Sequence, residues 1–326
     1  MQADELIREA VVWDNHACLP LQGDDDDWLP AIDRHRQSGV DVVSLNVGYG
    51  DQGPQAHFAA IERFRAWYGA RPDRYVLARS AADIRAAKTS GRLAVIFDIE
   101  GMNALGDRPE RVADYYDLGV RWMLIAYNHP NLAGGGCLDE DQGLTELGRA
   151  AIEEMERVGM LLCCSHTGWR TAMQAIGVSR APVILSHSNA DALWPHPRNA
   201  PDELMVACAR TGGVVGINGI GPFLGEGPAS ATAMARHIEH ALVVVGEDHV
   251  SIGLDYSFDQ VSTQLYLQRM SEDARRKLKL NAELSMAPPE TFPELAGVML
   301  ERGHAPGVVR KVLGENLLRL AEQIWS

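Results

Sequence analysis

The chain has 326 residues, of which 46% are hydrophobic and 23% charged, ordinary globular proportions that exclude a disordered or fibrous protein. Its formal net charge of −14 repels the phosphate backbone of nucleic acid, and no basic patch offsets it, so no nucleic-acid partner is expected. Five cysteines (Cys18, Cys137, Cys163, Cys164 and Cys208) are few and odd in number, which points away from a disulfide framework and toward a reducing compartment.

In chain order, the N-terminal MQADELIREA lacks the apolar stretch of a signal peptide. No later run reaches the roughly 18 apolar residues that span a bilayer, so a cytoplasmic protein without a membrane partner is expected. A first strand is predicted over Val11-Asp14, followed by the acidic run Asp24-Asp27, read as a solvated loop rather than a cation cage. Strands then follow over Asp41-Gly48, Leu93-Gly101, Arg121-Tyr127, Met160-Gly168, Pro182-Ala190, Gly212-Ile220 and His249-Ser257. Amphipathic periodicity predicts helices over 55–69, 108–118, 145–158, 202–211 and 231–245, with a C-terminal pair over 290–302 and 306–325. Pro201-Asp202-Glu203 places proline and acidic residues in a helical first turn, where the missing N–H and the helix dipole favour them. The polar region 255–284 is expected to carry its own helix over 271–284 and to form a rim or lid.

Runs such as LAVIFDIEG and MLLCCSHTG are apolar on both alternating faces, as parallel strands covered on each side require. Eight such strands alternating with helices predict an α/β fold, a (β/α)8 TIM-like barrel. It would be one catalytic domain over 1–326 with extra C-terminal helices. No Gly-x-Gly-x-x-Gly follows a strand, so a dinucleotide site has no support.

In such a barrel the active site lies at the C-terminal ends of the strands. His16 follows strand one, Glu100 ends strand three, His166 strand five, His187 strand six and Asp255 strand eight. Imidazole and carboxylate suit zinc and similar divalent ions, one or two of which Glu100 can hold or bridge, with a hydroxide as nucleophile. Asp255 is the candidate proton shuttle. Cys18, two residues beyond His16 on an extended segment, is read either as a fifth ligand or as a buried thiol. Cys163 and Cys164 are read as small buried hydrophobes. His129 and His196 are secondary candidates near the mouth, whereas His35, His57, His237, His240, His249 and His304 are expected at the surface.

At these residues the sequence resembles the membrane dipeptidase (renal dipeptidase) family of zinc peptidases along nearly its full length. DNHACLPL resembles the family's opening motif, FDIEG its Ile-Glu-Gly strand and CCSHTG its Ser-His segment, with APVILSHSNA, HPRNAPDEL, SIGLDYS and KVLGENLLRL following in order. The resemblance implies a two-zinc site in which Glu100 bridges, His16 serves one ion, and His166 and His187 serve the other. It also implies that Asp255 handles the proton and Arg198 binds the terminal carboxylate of a small dipeptide, often with a D-residue on the C-terminal side. Two departures stand out. Cys18 replaces the family's aspartate, and Tyr127 aligns with a substrate-binding histidine, where a phenol still donates a hydrogen bond.

The leading expectation is therefore a zinc-dependent dipeptidase acting through a metal-bound hydroxide. A metal-dependent amidase on another small carboxylated amide, and a metal-depleted, catalytically silent binding homologue, are the alternatives. Assembly into a homo-oligomer is left open.

Overall fold

A computed structural model describes residues 2–21, 28–280 and 284–325, so the Asp24-Asp27 run lies outside the described residues. Among the described residues ten parallel strands are present: β1 (Trp13–Cys18), β2 (Val42–Tyr49), β3 (Tyr75–Leu77), β4 (Leu93–Glu100), β5 (Val120–Leu124), β6 (Leu161–Cys163), β7 (Val183–Ile184), β8 (Val215–Asn218), β9 (Val250–Gly253) and β10 (Tyr256–Ser257). The ladder runs β10-β1-β2-β4-β5-β6-β7, and β8 pairs with β9. A parallel bridge between Leu185 and Val215 joins the two parts. The circuit closes where the Asp255 backbone N–H donates to the His16 carbonyl at 2.9 Å and the Leu254 N–H to Asp14 Oδ1 at 2.8 Å. The predicted (β/α)8 barrel is thus present, with β3 and β10 as short additions to its edge.

Alternation along each strand sorts the side chains into two layers. Val43, Leu45, Val95, Phe97 and Met123 pack outward with helix residues such as Ile61 and Phe64. Trp13, Val42, Ala94, Ile96, Trp122 and Leu161 turn the other way and pack with Leu317, Leu320 and Trp325 of the C-terminal helix Asn316–Ile324 and its cap. The Trp13 and Trp325 rings lie 5.8 Å apart. Read up β4, the inner residues are Ala94, Ile96, Asp98 and Glu100, all buried. The lower barrel is therefore apolar and capped, while the upper end is polar and open to a cavity.

Every predicted strand has a counterpart, but β1 runs over Trp13–Cys18 rather than Val11-Asp14 and so contains His16 instead of preceding it, while the strands before His166 and His187 are shorter than expected. Met160-Gly168 is regular only over β6 because the chain turns at His166, whose φ is 60°. The helix predicted over 271–284 is present as the shorter Glu272–Lys277, with residues 281–283 outside the described residues, and the helix Gln260–Arg269 before it was not anticipated. β3 and the helices Ala3–Glu9, Ala81–Thr89 and Trp169–Val178 were not anticipated. Among the described residues no helix is long and apolar enough to cross a membrane.

Barrel closure near the site depends on two glycines. A Cβ at Gly216 of β8 would meet the Ser186 carbonyl oxygen at 2.1 Å, and one at Gly253 of β9 would meet the same atom at 2.3 Å. Backbone cannot move aside as a side chain can, so these strands approach only without side chains here. Gly216→Ala should cost about 1–3 kcal/mol by overpacking. Gly177→Ala, in helix Trp169–Val178 with nothing within 4 Å, should instead stabilise by about 0.5–1 kcal/mol. Urea unfolding of both variants checks the pair, and equal effects would discount the close approach.

Candidate metal centre and active site

Four strand ends deliver His16, Glu100, His166 and His187 to one point. Glu100 Oε1 lies 3.2 Å from both His166 Nε2 and His187 Nε2, while Glu100 Oε2 lies 3.4 Å from His16 Nε2. The two Nε2 atoms of His166 and His187 are 2.9 Å apart, and the His16 and His187 rings stack at 4.3 Å. Asp255 Oδ1 and Cys18 Sγ stand 3.5 and 3.6 Å from His16 Nε2. All five residues predicted to surround the site, and Cys18, are therefore brought together.

Neighbouring groups fix which nitrogen faces inward. His166 Nδ1 donates to Asn128 Oδ1 at 2.8 Å, so its Nε2 presents a lone pair. His187 Nδ1 meets Ser186 Oγ at 2.8 Å, and His16 Nδ1 meets Asp98 Oδ2 at 3.2 Å. Asp98 is in turn held by Asn46 Nδ2 at 2.9 Å. Such partners orient metal-binding imidazoles and raise their basicity. Sequence reading missed Asp98, Asn46, Asn128 and Ser186. Only Asp98 carried a signal, since it stands two residues before Glu100 on one strand face.

Burial lowers the pKa of His166 to about 3 and, joined by the charge on His16, holds His187 well below the ordinary value. Burial also opposes charge on His16, but Glu100 and Asp98 outweigh it and raise its pKa well above normal. A neutral imidazole lone pair from His166, the neutral His187 ring and a carboxylate oxygen thus converge at hydrogen-bonding separations, and Glu100 Oε1 is buried with no hydrogen bond of its own. Ion–nitrogen and ion–oxygen bonds of about 2.0–2.1 Å put tetrahedral ligand pairs about 3.3–3.4 Å apart, so the donor set fits a divalent ion in type and its two Glu100 separations are near that spacing, while the His166–His187 pair at 2.9 Å is closer.

Three of the four non-glycine residues with positive φ among those described belong to this site: Asn128 (61°), His166 (60°) and Asp255 (60°). Backbone in this region is tolerated where surrounding structure imposes it, commonly at functional sites. Asp255 Oδ2 accepts from Asn218 Nδ2 at 3.0 Å. Burial, with Glu100 adding to it, raises the Asp255 pKa to about 6 against the pull of His16.

Above the cluster opens a cavity of about 470 Å³, lined by Cys18, Glu100, Tyr127, His166, Arg198 and Asp255 among others. Tyr127 stacks on His166 at 4.3 Å, and burial raises its pKa well above normal, so its hydroxyl is a neutral donor. Arg198 is 4% exposed. Its Nη2 reaches the His187 carbonyl at 3.3 Å, its Nε has no partner, and it makes no ion pair among the described residues. The expected rim is present, since Leu265, Met270 and Leu278 from the 260–280 region line the cavity.

The secondary candidates do not join the cluster. His129 is exposed and pairs with Asp139 at 2.7 Å. His196 is buried, with Nε2 against the Leu278 carbonyl and Nδ1 accepting from the Arg198 N–H. His35, His57 and His237, expected at the surface, are buried instead, because each finds an internal partner: Asp14 Oδ2, the Gly53 carbonyl and the Leu224 carbonyl. Cys163 and Cys164 are buried in the core as expected.

The model of the family described as membrane dipeptidase (peptidase family M19) matches residues 1–287. The chain belongs to the membrane dipeptidase family. It is 29% identical over 304 residues to dipeptidase VerJ of Clonostachys rogersoniana, covering 91% of this chain and 71% of that one. It spans 56–71% of the length of the curated relatives it matches. Among solved structures it is similar to an amidohydrolase from Pseudomonas aeruginosa, at 30% identity, covering 100% of this chain and 99% of that one, with a TM-score of 0.91. A metallopeptidase from Rhodobacter sphaeroides, liganded with a phosphinate mimic of the dipeptide L-Ala-D-Ala, shares the fold at 21% identity and a TM-score of 0.76, covering 97% and 99% of the two chains. This M19 member carries a His/Glu cluster suited to metal binding.

Asp255 offers a test of the electrostatics in metal-free protein. Its pKa is about 3.8 unfolded and about 6 folded, so the native state binds more protons between these values. Stability therefore falls as pH rises through that window, and the full cost is present above pH ~6. Asp255→Asn should stabilise the chelator-treated protein by about 1–2 kcal/mol at pH 8, a gain that fades below pH ~4. Denaturation at both pH values checks this, and a pH-independent difference would sink it.

Proposed function

We propose that the chain is a zinc-dependent dipeptidase that hydrolyses a small dipeptide with a free C-terminal carboxylate. The observation that carries this reading is the buried Arg198 guanidinium, which makes no ion pair among the described residues and lines the same cavity as Glu100, His166 and Asp255. A planar guanidinium suits a carboxylate, and a buried cation with no direct salt bridge among the described residues favours an anionic ligand. A small substrate anchored there shares one cavity with the cluster. The dipeptide mimic held by the Rhodobacter sphaeroides relative supports the same substrate class, including a D-residue at the C-terminal position.

His16, Glu100, His166 and His187 would hold the metal, with Glu100 offering one oxygen to each side. A divalent ion bound there supplies Lewis acidity, polarising a carbonyl and making water acidic at neutral pH. Asp98, Asn128 and Ser186 hold the outer Nδ1 atoms and so aim the Nε2 of each ring at the cluster. Asp255, with Oδ2 fixed by Asn218 and Oδ1 facing the cluster, holds a proton at Oδ1 and delivers it to the leaving amine. A pKa near 6 suits a group that must both take and give a proton close to neutral pH. Tyr127, fixed over His166, donates to the carbonyl oxygen as negative charge develops on it. Apolar rim residues such as Leu265 and Met270 limit water around these groups.

The similarity to an amidohydrolase at a TM-score of 0.91 favours one second reading, hydrolysis of another small carboxylated amide. A panel of L,L and L,D dipeptides beside N-acyl amino acids, run with zinc and after chelation, separates the two. Dipeptide turnover that is lost with the metal and restored by zinc is expected, and turnover of N-acyl amino acids alone would hand the site to the rival.

Arg198→Met should raise KM for free dipeptides about 10–100-fold with a small effect on kcat, and should hardly affect C-terminally amidated ones. Equal losses on both would remove the anchoring role. Asp255→Asn should lower kcat about 10²–10⁴-fold while zinc content stays at the parent's level.

A further inference from the structure

The thiol of Cys18 has no part in the chemistry above. It stands on β1 at the same face as His16, and alternation directs both side chains to one point. Its backbone is fixed by the β10 ladder, where Cys18 registers with Ser257 and the Phe258 N–H donates to the Cys18 carbonyl at 3.1 Å. Sγ therefore has a defined position, 3.6 Å from His16 Nε2 and on the cavity wall.

Spacing gives this position a chemical meaning. Ion–sulfur bonds of about 2.3 Å and ion–nitrogen bonds of about 2.0–2.1 Å at a tetrahedral angle place sulfur and nitrogen about 3.6 Å apart. Glu100 Oε2, 3.4 Å from the same nitrogen, meets the corresponding oxygen–nitrogen separation. The other oxygen of that carboxylate, Oε1, is buried without a donor, an independent sign that this cluster is built around cations.

We propose that Cys18 binds as a thiolate, so that His16 Nε2 and Cys18 Sγ, gathered with an Asp255 oxygen within 4.8 Å of one another and facing Glu100 Oε2, form a sulfur-containing ion position beside the all-nitrogen-and-oxygen position of His166, His187 and Glu100. The inference rests on the metal centre proposed above and adds that its two halves are chemically unlike. As the ion binds, the S–H bond breaks and its proton leaves to solvent. Sulfur donates more electron density than carboxylate, so this half selects zinc, cobalt or cadmium over magnesium or manganese and is the weaker Lewis acid of the two.

Cobalt(II) titration of the chelator-treated full chain tests this, read by absorbance and by mass-spectrometric mapping of thiol alkylation. Parent protein should bind two equivalents, develop a near-ultraviolet thiolate-to-cobalt charge-transfer band and protect Cys18 from alkylation. Cys18→Ser should lose the band and bind the second equivalent at least about tenfold more weakly. Cys18→Asp should keep two equivalents with no band. Visible cobalt bands without the near-ultraviolet band, a band that persists in Cys18→Ser, or a bound Cys18 that still alkylates would overturn thiolate ligation and leave the metal centre standing. No cobalt uptake by the parent would overturn both. The alkylation readout on the parent decides the matter even where a variant fails to fold.

Discussion

Three buried polar atoms held at one point, Glu100 Oε1 and the Nε2 atoms of His166 and His187, are the constraint on which the rest of the structure depends. No apolar packing drives them together, and gathering polar groups in a low-dielectric interior is costly. The barrel must therefore impose the arrangement from outside. Residues at positive φ, each costing on the order of 1–3 kcal/mol, are part of that imposition. So is the close approach of β8 and β9 to the Ser186 carbonyl, which fixes the backbone one residue before His187. Stability comes from the apolar lower barrel, which allows its upper end to carry this strain.

Each imidazole is controlled from behind by a different kind of group: a carboxylate for His16, a side-chain amide for His166 and a hydroxyl for His187. The differences have electrostatic consequences. Glu100 and Asp98 let His16 carry positive charge against its burial, and that charge helps keep Glu100 ionised although burial opposes it. Burial keeps His166 and His187 unprotonated. The three partners thus set the direction of each ring, while burial and neighbouring charge set its protonation.

Much of this was legible in the sequence because a parallel barrel writes itself in apolar runs, and residues just past those runs share one end of the barrel. His16, Glu100, His166, His187 and Asp255 could be gathered on that basis alone. What stayed hidden has physical causes. β3 is three residues long and pairs only with the start of β4, too short for any periodicity to show. His35 looked like a surface residue because it lies in a polar helix, DRHRQ, and nothing local reveals the Asp14 carboxylate 2.9 Å away across the fold. Asn128 and Ser186 are common residue types whose importance comes only from facing an imidazole nitrogen. Pattern reports which side a residue faces, whereas partnering is tertiary.

The rim is joined to the chemistry through one continuous stretch of chain. Asp255 ends the ladder and its N–H is bound to the His16 carbonyl. β10 then pairs with β1 beside Cys18, and the chain runs directly into the rim helices. It returns through an antiparallel bridge between Ile220 and Met286, with the Ala287 N–H bound to the Gly219 carbonyl. Both roots of the rim are therefore hydrogen-bonded to strand ends that carry site residues: β1 with His16 and Cys18, and β8 with Asn218, which holds Asp255. A displacement of either root would shift the Asp255 carboxylate relative to His16, so the groups that cover the cavity and the group that moves the proton are constrained by the same ladder. This makes Asp255, rather than the more deeply buried imidazoles, the point at which rim position and catalysis meet.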